Sequence, residues 1–288
     1  MTALERYAAP RVLGEALDLL REGDVTIVAG GTDVMPQSHS GKVKLGRTLL
    51  NVRRIPELAG IGREDDSVRI GALTTVTALL QSALVRDRLP VLAAAADHFA
   101  SEQVRNGATV GGNICNASPA GDLLVPLIVL DATVELAAKP NGAVETRSMS
   151  LQEFLTGPGR TRRAAHELLT AVRVPLPPRG FVARFYKYGT RPALDISAIS
   201  IGVGAVRRDG RLENVRVVFG AVAPTPIRGT ATERALEERP LDAATIEAAA
   251  QAAHDEVRPI SDVRASAWYR QELARNMTRR LLEDVARG

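Results

Sequence analysis

Cysteine is nearly absent from this 288-residue chain: Cys115 stands alone, so no internal disulfide forms and no CxxC pair exists. A four-cysteine iron–sulfur cluster or zinc ribbon therefore cannot be built from it. Histidine is scarce as well. His39, His98, His166 and His254 never fall at HxH, HxxxH or HExxH spacing, so no metal site is expected. No nucleophile–base pair stands out among the scattered serines and Cys115, and no catalytic nucleophile is expected either. Aromatic residues make up only 3%, too few for a base-stacking surface. The net charge of +4 is thinly spread, with 37 basic residues interleaved among 33 acidic ones. The longest basic concentration, Arg160-Thr161-Arg162-Arg163, is short, and no nucleic-acid partner is expected. Long apolar runs are missing: Leu123–Leu136 is interrupted by Asp131, Thr133 and Glu135, so no membrane span is expected. The first residues lack a signal-peptide core, which makes the cytoplasm the expected location.

What is present is ordinary globular composition, 45% hydrophobic and 24% charged, in a chain long enough for more than one compact lobe. The most distinctive stretch is Ser101–Leu130. Its centre, Thr109-Val110-Gly111-Gly112-Asn113, leads through Asn116-Ala117-Ser118-Pro119-Ala120-Gly121-Asp122 into an apolar segment of helical length. Adjacent glycines admit positive φ and let a ligand approach backbone N–H groups. Ser118 or Asp122 is placed to cap the helix that follows. A second glycine pair, Gly30-Gly31-Thr32-Asp33, follows the β-branched run Val25–Ala29. Neither loop fits GxGxxG or the P-loop pattern, so a nucleotide bound here uses another scaffold. Two such loops suit a large diphosphate-containing cofactor if the fold brings them together.

Along the chain, Ala16–Arg21 predicts an amphipathic helix ended by Gly23. Thr48–Val52 and Ser67–Leu73 read as strands, and Thr74 or Thr75 caps a helix over Val76–Ser82. Pro90 opens a helix running through Phe99, Thr133–Ala137 is a strand, and Asn141-Gly142 is a hairpin turn. Glu167–Val174 is a strand closed by Pro175, and Pro175–Gly180 reads as a linker. Beyond it come three strands, Phe181–Tyr188, Ile196–Arg207 and Val215–Val222, then helices over Ala243–Val257 and about Val263–Ala286. Strands followed by helices make an α+β pattern. The Gly202/Gly204 pair is not a dinucleotide fingerprint, because no helix start or third glycine follows.

Four motifs in one order carry a resemblance over nearly the whole chain: VAGGTDV (28–34), QVRNGATVGGNICNASPAGD (103–122), FYKYGTRPALDIS (185–197) and FGAVAPTPIR (219–228). Together they resemble the FAD-binding subunit of bacterial xanthine dehydrogenases, within the molybdenum-hydroxylase flavoproteins that include the carbon monoxide dehydrogenase medium subunit. The resemblance implies a PCMH/vanillyl-alcohol-oxidase-type FAD-binding domain of two α/β subdomains, about 1–56 and 57–175. A C-terminal domain with a three-stranded antiparallel sheet and helices would follow over 179–288. It implies FAD as the cofactor. Ile27, Val28, Ala29, Gly30, Gly31, Thr32, Asp33 and Val34 look like the first flavin loop, whose N–H groups meet the pyrophosphate, and Thr109, Val110, Gly111, Gly112 and Asn113 like the second. Asp122 is similar to the acid that holds sugar or ribityl hydroxyls. Phe99 and Leu169 match contacts to the cofactor, and Lys187 a cation at the pyrimidine edge of the flavin.

The same resemblance implies partners: a small subunit with [2Fe–2S] clusters, and a large subunit with a molybdenum cofactor that hydroxylates the substrate. Electrons would pass from the clusters through FAD to NAD or another acceptor. The stretch holding Arg191 and Asp195 is thinner than the Arg-rich, acidic stretch of the eukaryotic version, and Arg191 and Asp195 read alternatively as a surface ion pair. Flavin subunits of nicotinate, aldehyde or carbon monoxide dehydrogenases remain alternatives, as does a self-contained flavin oxidase of the PCMH type. Cys115 reads as a bystander in the turn.

Overall fold

A computed structural model describes residues 4–191 and 194–287. Pro192 and Ala193, inside the third motif, Phe185–Ser197, lie outside the described residues. The first lobe contains β1 (Arg6–Ala8), α1 (Leu13–Glu22), β2 (Val25–Val28), α2 (Val34–His39) and β3 (Thr48–Asn51). Its sheet is parallel, in the order β1-β3-β2. Helix α1 buries Ala16, Leu17, Leu19 and Leu20, the stripe that 3.6-residue spacing demands, and Gly23 ends it at φ +81°. That stripe packs on Leu50, Val52, Ile55 and Leu58, and on Ala137 and Leu168 of the next lobe.

The second lobe runs through β4 (Ile61–Glu64), β5 (Ser67–Gly71), α3 (Val76–Gln81), α4 (Ala83–Arg88) and α5 (Pro90–Asp97). It continues with α6 (Glu102–Gly107), α7 (Val110–Asn116), α8 (Leu124–Val129), β6 (Thr133–Ala138) and β7 (Glu145–Ser150). After α9 (Leu151–Phe154), β8 (Leu155–Gly157) and β9 (Arg160–Thr161), β10 (Leu168–Pro175) returns to the centre. The antiparallel order is β4-β5-β10-β6-β7. Val68, Ile70, Val134, Leu136, Val172 and Val174 face the helices and form the largest core. The Asn141-Gly142 turn joins β6 to β7 as expected, with Gly142 at φ +84°.

The C-terminal unit comprises β11 (Phe181–Tyr188), β12 (Ile199–Arg208), β13 (Arg211–Gly220), β14 (Ile227–Arg228), α10 (Thr230–Leu236), α11 (Ala243–Glu256) and α12 (Ala267–Arg287). Three long antiparallel strands are present where three were expected, but two-residue β14 adds a fourth at the edge. Three residues of the expected second strand, Ile196–Ala198, lie outside the sheet, and α12 begins at Ala267 rather than Val263.

Strand β12 shows why its glycines are where they are. Ile199, Ile201, Val203 and Ala205 face the core shared with α11 and α12, so the alternate residues Gly202 and Gly204 face the opposite way. There α8 crosses the sheet, and a Cβ on Gly202 would stand 2.7 Å from Val129 Cγ2 and 2.9 Å from Val125 Cγ1. The glycines let the apolar helix seat directly on the strand. This seam joins the C-terminal sheet to the second lobe. Among the described residues no helix is long and apolar enough to cross a membrane.

Candidate cofactor site

A cleft of about 1030 Å³ runs between the first two lobes and is closed on one side by the segment after β11. That is the upper end of the usual span for ligand pockets, about 300–1,000 Å³, and leaves room for a large cofactor. From the first expected loop, Ile27, Ala29, Gly30, Gly31, Thr32, Asp33 and Val34 line it; Val28 does not. From the second, Thr109, Gly111, Gly112 and Asn113 line it, whereas Val110 is fully buried in the core. Phe99, Asp122 and Leu169 also reach the wall. Residues separated by up to 142 positions, from Ile27 to Leu169, thus share one cavity.

The two loops meet it differently. Gly31 has φ +70° and turns the chain from β2 into α2. Among the described residues no acceptor is found for the N–H groups of Gly30, Gly31, Thr32, Asp33 and Val34. Successive free donors around a left-handed residue make a concavity for an anion. The second loop corrects the expectation that its N–H groups are on offer. Thr109 caps α7 by accepting from Gly112 N at 3.0 Å. Val110 N donates to Thr74 O, Gly111 N to Ala72 O and Asn113 N to Thr109 O, so all four donors are used within the protein. The glycines here serve packing: a Cβ on Gly111 would stand 2.7 Å from Ala72 Cβ. The glycine pair is also the first turn of a helix rather than a loop before one. The next helix, α8, has Leu123 as its N-cap residue and no side-chain cap; Ser118 instead accepts from Ala120 N, and Asp122 turns elsewhere.

What α7 and the turn after it give the cleft is acceptors. Among the described residues, Asn113 Oδ1 and Asp122 Oδ1 are buried and have no hydrogen-bond partner. Such groups are costly unless a ligand donor meets them. Asp122 Oδ2 accepts from Lys187 Nζ at 2.8 Å. Burial pushes the Asp122 carboxyl above its usual range, and Lys187 holds it back. The Lys187 ammonium donates also to His98 O at 3.1 Å, beside the wall residues Phe99 and Asp122.

Several wall residues had not been singled out. Thr161 and Arg163, read from the sequence as part of a surface basic run, reach the cleft because the hairpin β8–β9 is tied to α7 through Gly159 N and Ala117 O at 3.1 Å. Arg163 Nη1 is fixed by Ala164 O at 3.0 Å and Glu167 O at 2.7 Å. Cys115 lines the same wall, and burial pushes its thiol up to about 11, against a smaller opposing pull from Arg163. Arg191, Leu194, Asp195 and Ile196 form the C-terminal side. Arg191 and Asp195 do not hold each other: Arg191 Nε donates to Leu194 O at 3.1 Å, while Asp195 Oδ2 accepts from Thr190 Oγ1 at 2.8 Å.

A long cleft with an anion-binding turn at one wall, orphaned acceptors at another and apolar Phe99 and Leu169 between them fits a dinucleotide flavin; the class is a flavoprotein with an α+β, PCMH-type fold. Comparison with known proteins gives the family. Residues 2–177 match the family described as FAD binding domain in molybdopterin dehydrogenase, and residues 184–285 match the CO dehydrogenase flavoprotein C-terminal domain. The chain belongs to this family of molybdenum-hydroxylase FAD subunits, and FAD is its cofactor. It is 35% identical over 282 residues to the xanthine dehydrogenase FAD-binding subunit of Escherichia coli O157:H7, covering 97% of this chain and 95% of that one. It is 32% identical over 287 residues to the nicotinate dehydrogenase FAD-subunit of Eubacterium barkeri, at 97% and 95% coverage. A solved carbon monoxide dehydrogenase from Hydrogenophaga pseudoflava superposes with a TM-score of 0.92 at 32% identity, covering 98% of this chain and 97% of that chain.

Proposed function

We propose that this chain is the electron-relay subunit of a xanthine dehydrogenase-like enzyme, taking electrons from [2Fe–2S] clusters on a small subunit and delivering them to NAD or another acceptor. Substrate hydroxylation belongs to a large subunit carrying the molybdenum cofactor. Residues 1–175 hold the cofactor, and 179–288 close one side of its cleft. The single observation that carries the cofactor assignment is the convergence of the donor turn Gly30–Val34 with the orphaned acceptors of Asn113 and Asp122. The free N–H groups suit the FAD pyrophosphate, and the two acceptors suit its hydroxyl groups. Phe99 and Leu169 give apolar contact to the ring system.

FAD supplies the junction between one-electron donors and a two-electron acceptor. The chain supplies binding and exclusion of water, and with a single cysteine it leaves the clusters to another subunit. Relatives named for xanthine, nicotinate and carbon monoxide are 32–35% identical to this chain, which supports leaving substrate choice to the large subunit.

The test is to purify the chain with its bound partners. Flavin absorption in the blue region, a co-purifying cluster protein and bleaching of the flavin by NADH support the reading. A colourless chain that also fails to bind added FAD overturns it. Flavin that NADH leaves oxidised overturns NAD as acceptor.

A further inference from the structure

The hairpin turn between β6 and β7 holds chemistry that the cofactor cleft does not use. The sequence has two Asn-Gly pairs, Asn106-Gly107 and Asn141-Gly142. Both asparagines are exposed, so exposure alone does not separate them. Their backbones do. Asn106 and Gly107 are the last two residues of α6, and the Asn106 carboxamide oxygen accepts from Thr77 Oγ1 at 2.6 Å. The Gly107 carbonyl is wedged against Gly30. A helical ψ also holds the following N–H away from the side chain of its own residue. Gly142 lies outside any helix or strand, at φ +84°, and an ideal Cβ on it meets nothing within 4 Å. Among the described residues its N–H has no backbone acceptor. With no Cβ on the glycine, nothing stops that nitrogen from turning onto the Asn141 carboxamide.

We propose that Asn141 is a site of spontaneous covalent modification, at which the turn converts from asparagine to isoaspartate and aspartate. The Gly142 nitrogen gives its proton to base and attacks Asn141 Cγ. The new N–C bond forms, the Cγ–Nδ2 bond breaks, and Nδ2 takes up a proton and leaves as ammonia. Water then opens the five-membered imide. Breaking the bond from Gly142 N to Cγ gives aspartate; breaking the bond to the main-chain carbonyl gives isoaspartate, whose backbone runs through Cβ and Cγ. No oxidant or cofactor is needed, and the step stands whether or not the cleft takes FAD. Either product puts a carboxylate where a neutral amide stood. Isoaspartate also adds a backbone carbon to the turn beyond Ala138 and Glu145, the last register pair of the hairpin. Because β7 is an edge strand with β6 as its one neighbour, the longer turn loosens it from that end. The freed α-carboxylate stands in an exposed turn, within reach of an isoaspartyl methyltransferase.

The full chain, folded, is aged in mildly alkaline buffer and sampled over time. Peptides holding residues 106 and 141 are followed by mass for the exchange of an amide NH2 for an OH. Isoaspartate is counted by methyl uptake from S-adenosylmethionine with an isoaspartyl methyltransferase. Asn141 is expected to convert about tenfold faster than Asn106 or more, because α6 must first fray before its asparagine reacts. The rate should rise with pH, as loss of the Gly142 proton requires. Asn141→Gln should abolish methyl uptake by the native chain, and Gly142→Ala should slow conversion at Asn141. Amides of 145–150 should exchange faster in aged than in fresh chain, and equally in aged and fresh Asn141→Gln. Conversion at Asn141 no faster than at Asn106, or methyl uptake undiminished in Asn141→Gln, overturns the proposal. Should Gly142→Ala fail to fold, the comparison of the two asparagines in the unmutated chain still decides.

Discussion

Gly30 and Gly107 meet backbone to backbone: a Cβ on Gly30 would stand 2.0 Å from Gly107 O and 2.7 Å from its carbonyl carbon. The contact brings the turn after β2 against the end of α6, and Gly107 in turn lies 3.3 Å, measured from its own ideal Cβ, from Thr32 Cγ2. This is how the two lobes close the far end of the cleft. Because the obstacle is main chain, it cannot swing aside as a side chain would.

Gly30→Ala should therefore destabilise the chain by at least about 1–3 kcal/mol, the usual range for forced overpacking. It should also weaken FAD, since relief requires the donor turn to move. Urea unfolding and FAD titration measure the two effects. Gly62→Ala is the control: it meets nothing within 4 Å and should stay within about 0.5 kcal/mol. Equal behaviour of the two variants would contradict the packing account.

At the seam with the C-terminal sheet, a Cβ on Gly204 would stand 2.6 Å from Val129 Cγ1 and 2.9 Å from Phe181 Cζ. Gly204→Ala is expected to lower stability by roughly 1–3 kcal/mol and to speed proteolysis in Pro175–Gly180. Val129→Ala in the same chain should recover part of that loss, because the two changes share one contact. Additive losses would show that the seam does not pack this way.

Arg270 is 2% exposed and donates to Ala198 O at 2.9 Å, to Ile260 O at 2.5 Å and to Asp262 Oδ1 at 2.8 Å. It ties α12 to the end of the cleft-lining segment. Hydrogen bonds from Arg270 and from the backbone N–H groups of Arg264 and Ala265 outweigh desolvation and lower the Asp262 carboxyl from 3.8 to about 2. Since the folded value lies below the unfolded one, the contribution is complete above about pH 4 and disappears as pH falls towards 2. Asp262→Asn should be less stable than the unmutated chain at pH 7, and the gap should close between pH 4 and pH 2. Arg270→Met should cost about 1–3 kcal/mol at pH 7, chiefly because the carbonyls of Ala198 and Ile260 lose their donor. Denaturant melts across pH measure both.

Cys115 should be a poor nucleophile although it lines the cleft. A thiol at about 11 instead of 9.0 presents about a hundredfold less thiolate at pH 8. Iodoacetamide should alkylate it about that much more slowly than an exposed cysteine peptide, with the rate still rising past pH 10. Alkylation at the peptide's rate would show the thiol to be open to solvent.

Much of the secondary structure was legible because its signals are local. The α1 stripe, the cap at Thr75, the Gly142 turn and the linker after Pro175 follow from residues within one or two turns of each other. Short elements escaped: β1, β4, β7 and β9 hold two to six residues, too few to show a clear period, and β1 also takes its place from a partner far along the chain, β3. Arg163 escaped for the same reason. Nothing near it in the chain says that a hairpin will carry it to α7.

Residue chemistry alone settled the glycine pairs and the want of metal-binding cysteines, because those depend on which atoms each side chain has; the candidate wall residues came from the order of four motifs. The roles of those residues were decided by proximity. Only the folded chain shows that the N–H groups after Gly111 are already taken, that those of Gly30–Val34 are free, and that Lys187 answers to Asp122. Hydrogen bonds are made over about 3 Å, and no pattern along a chain fixes a distance between residues 65 positions apart.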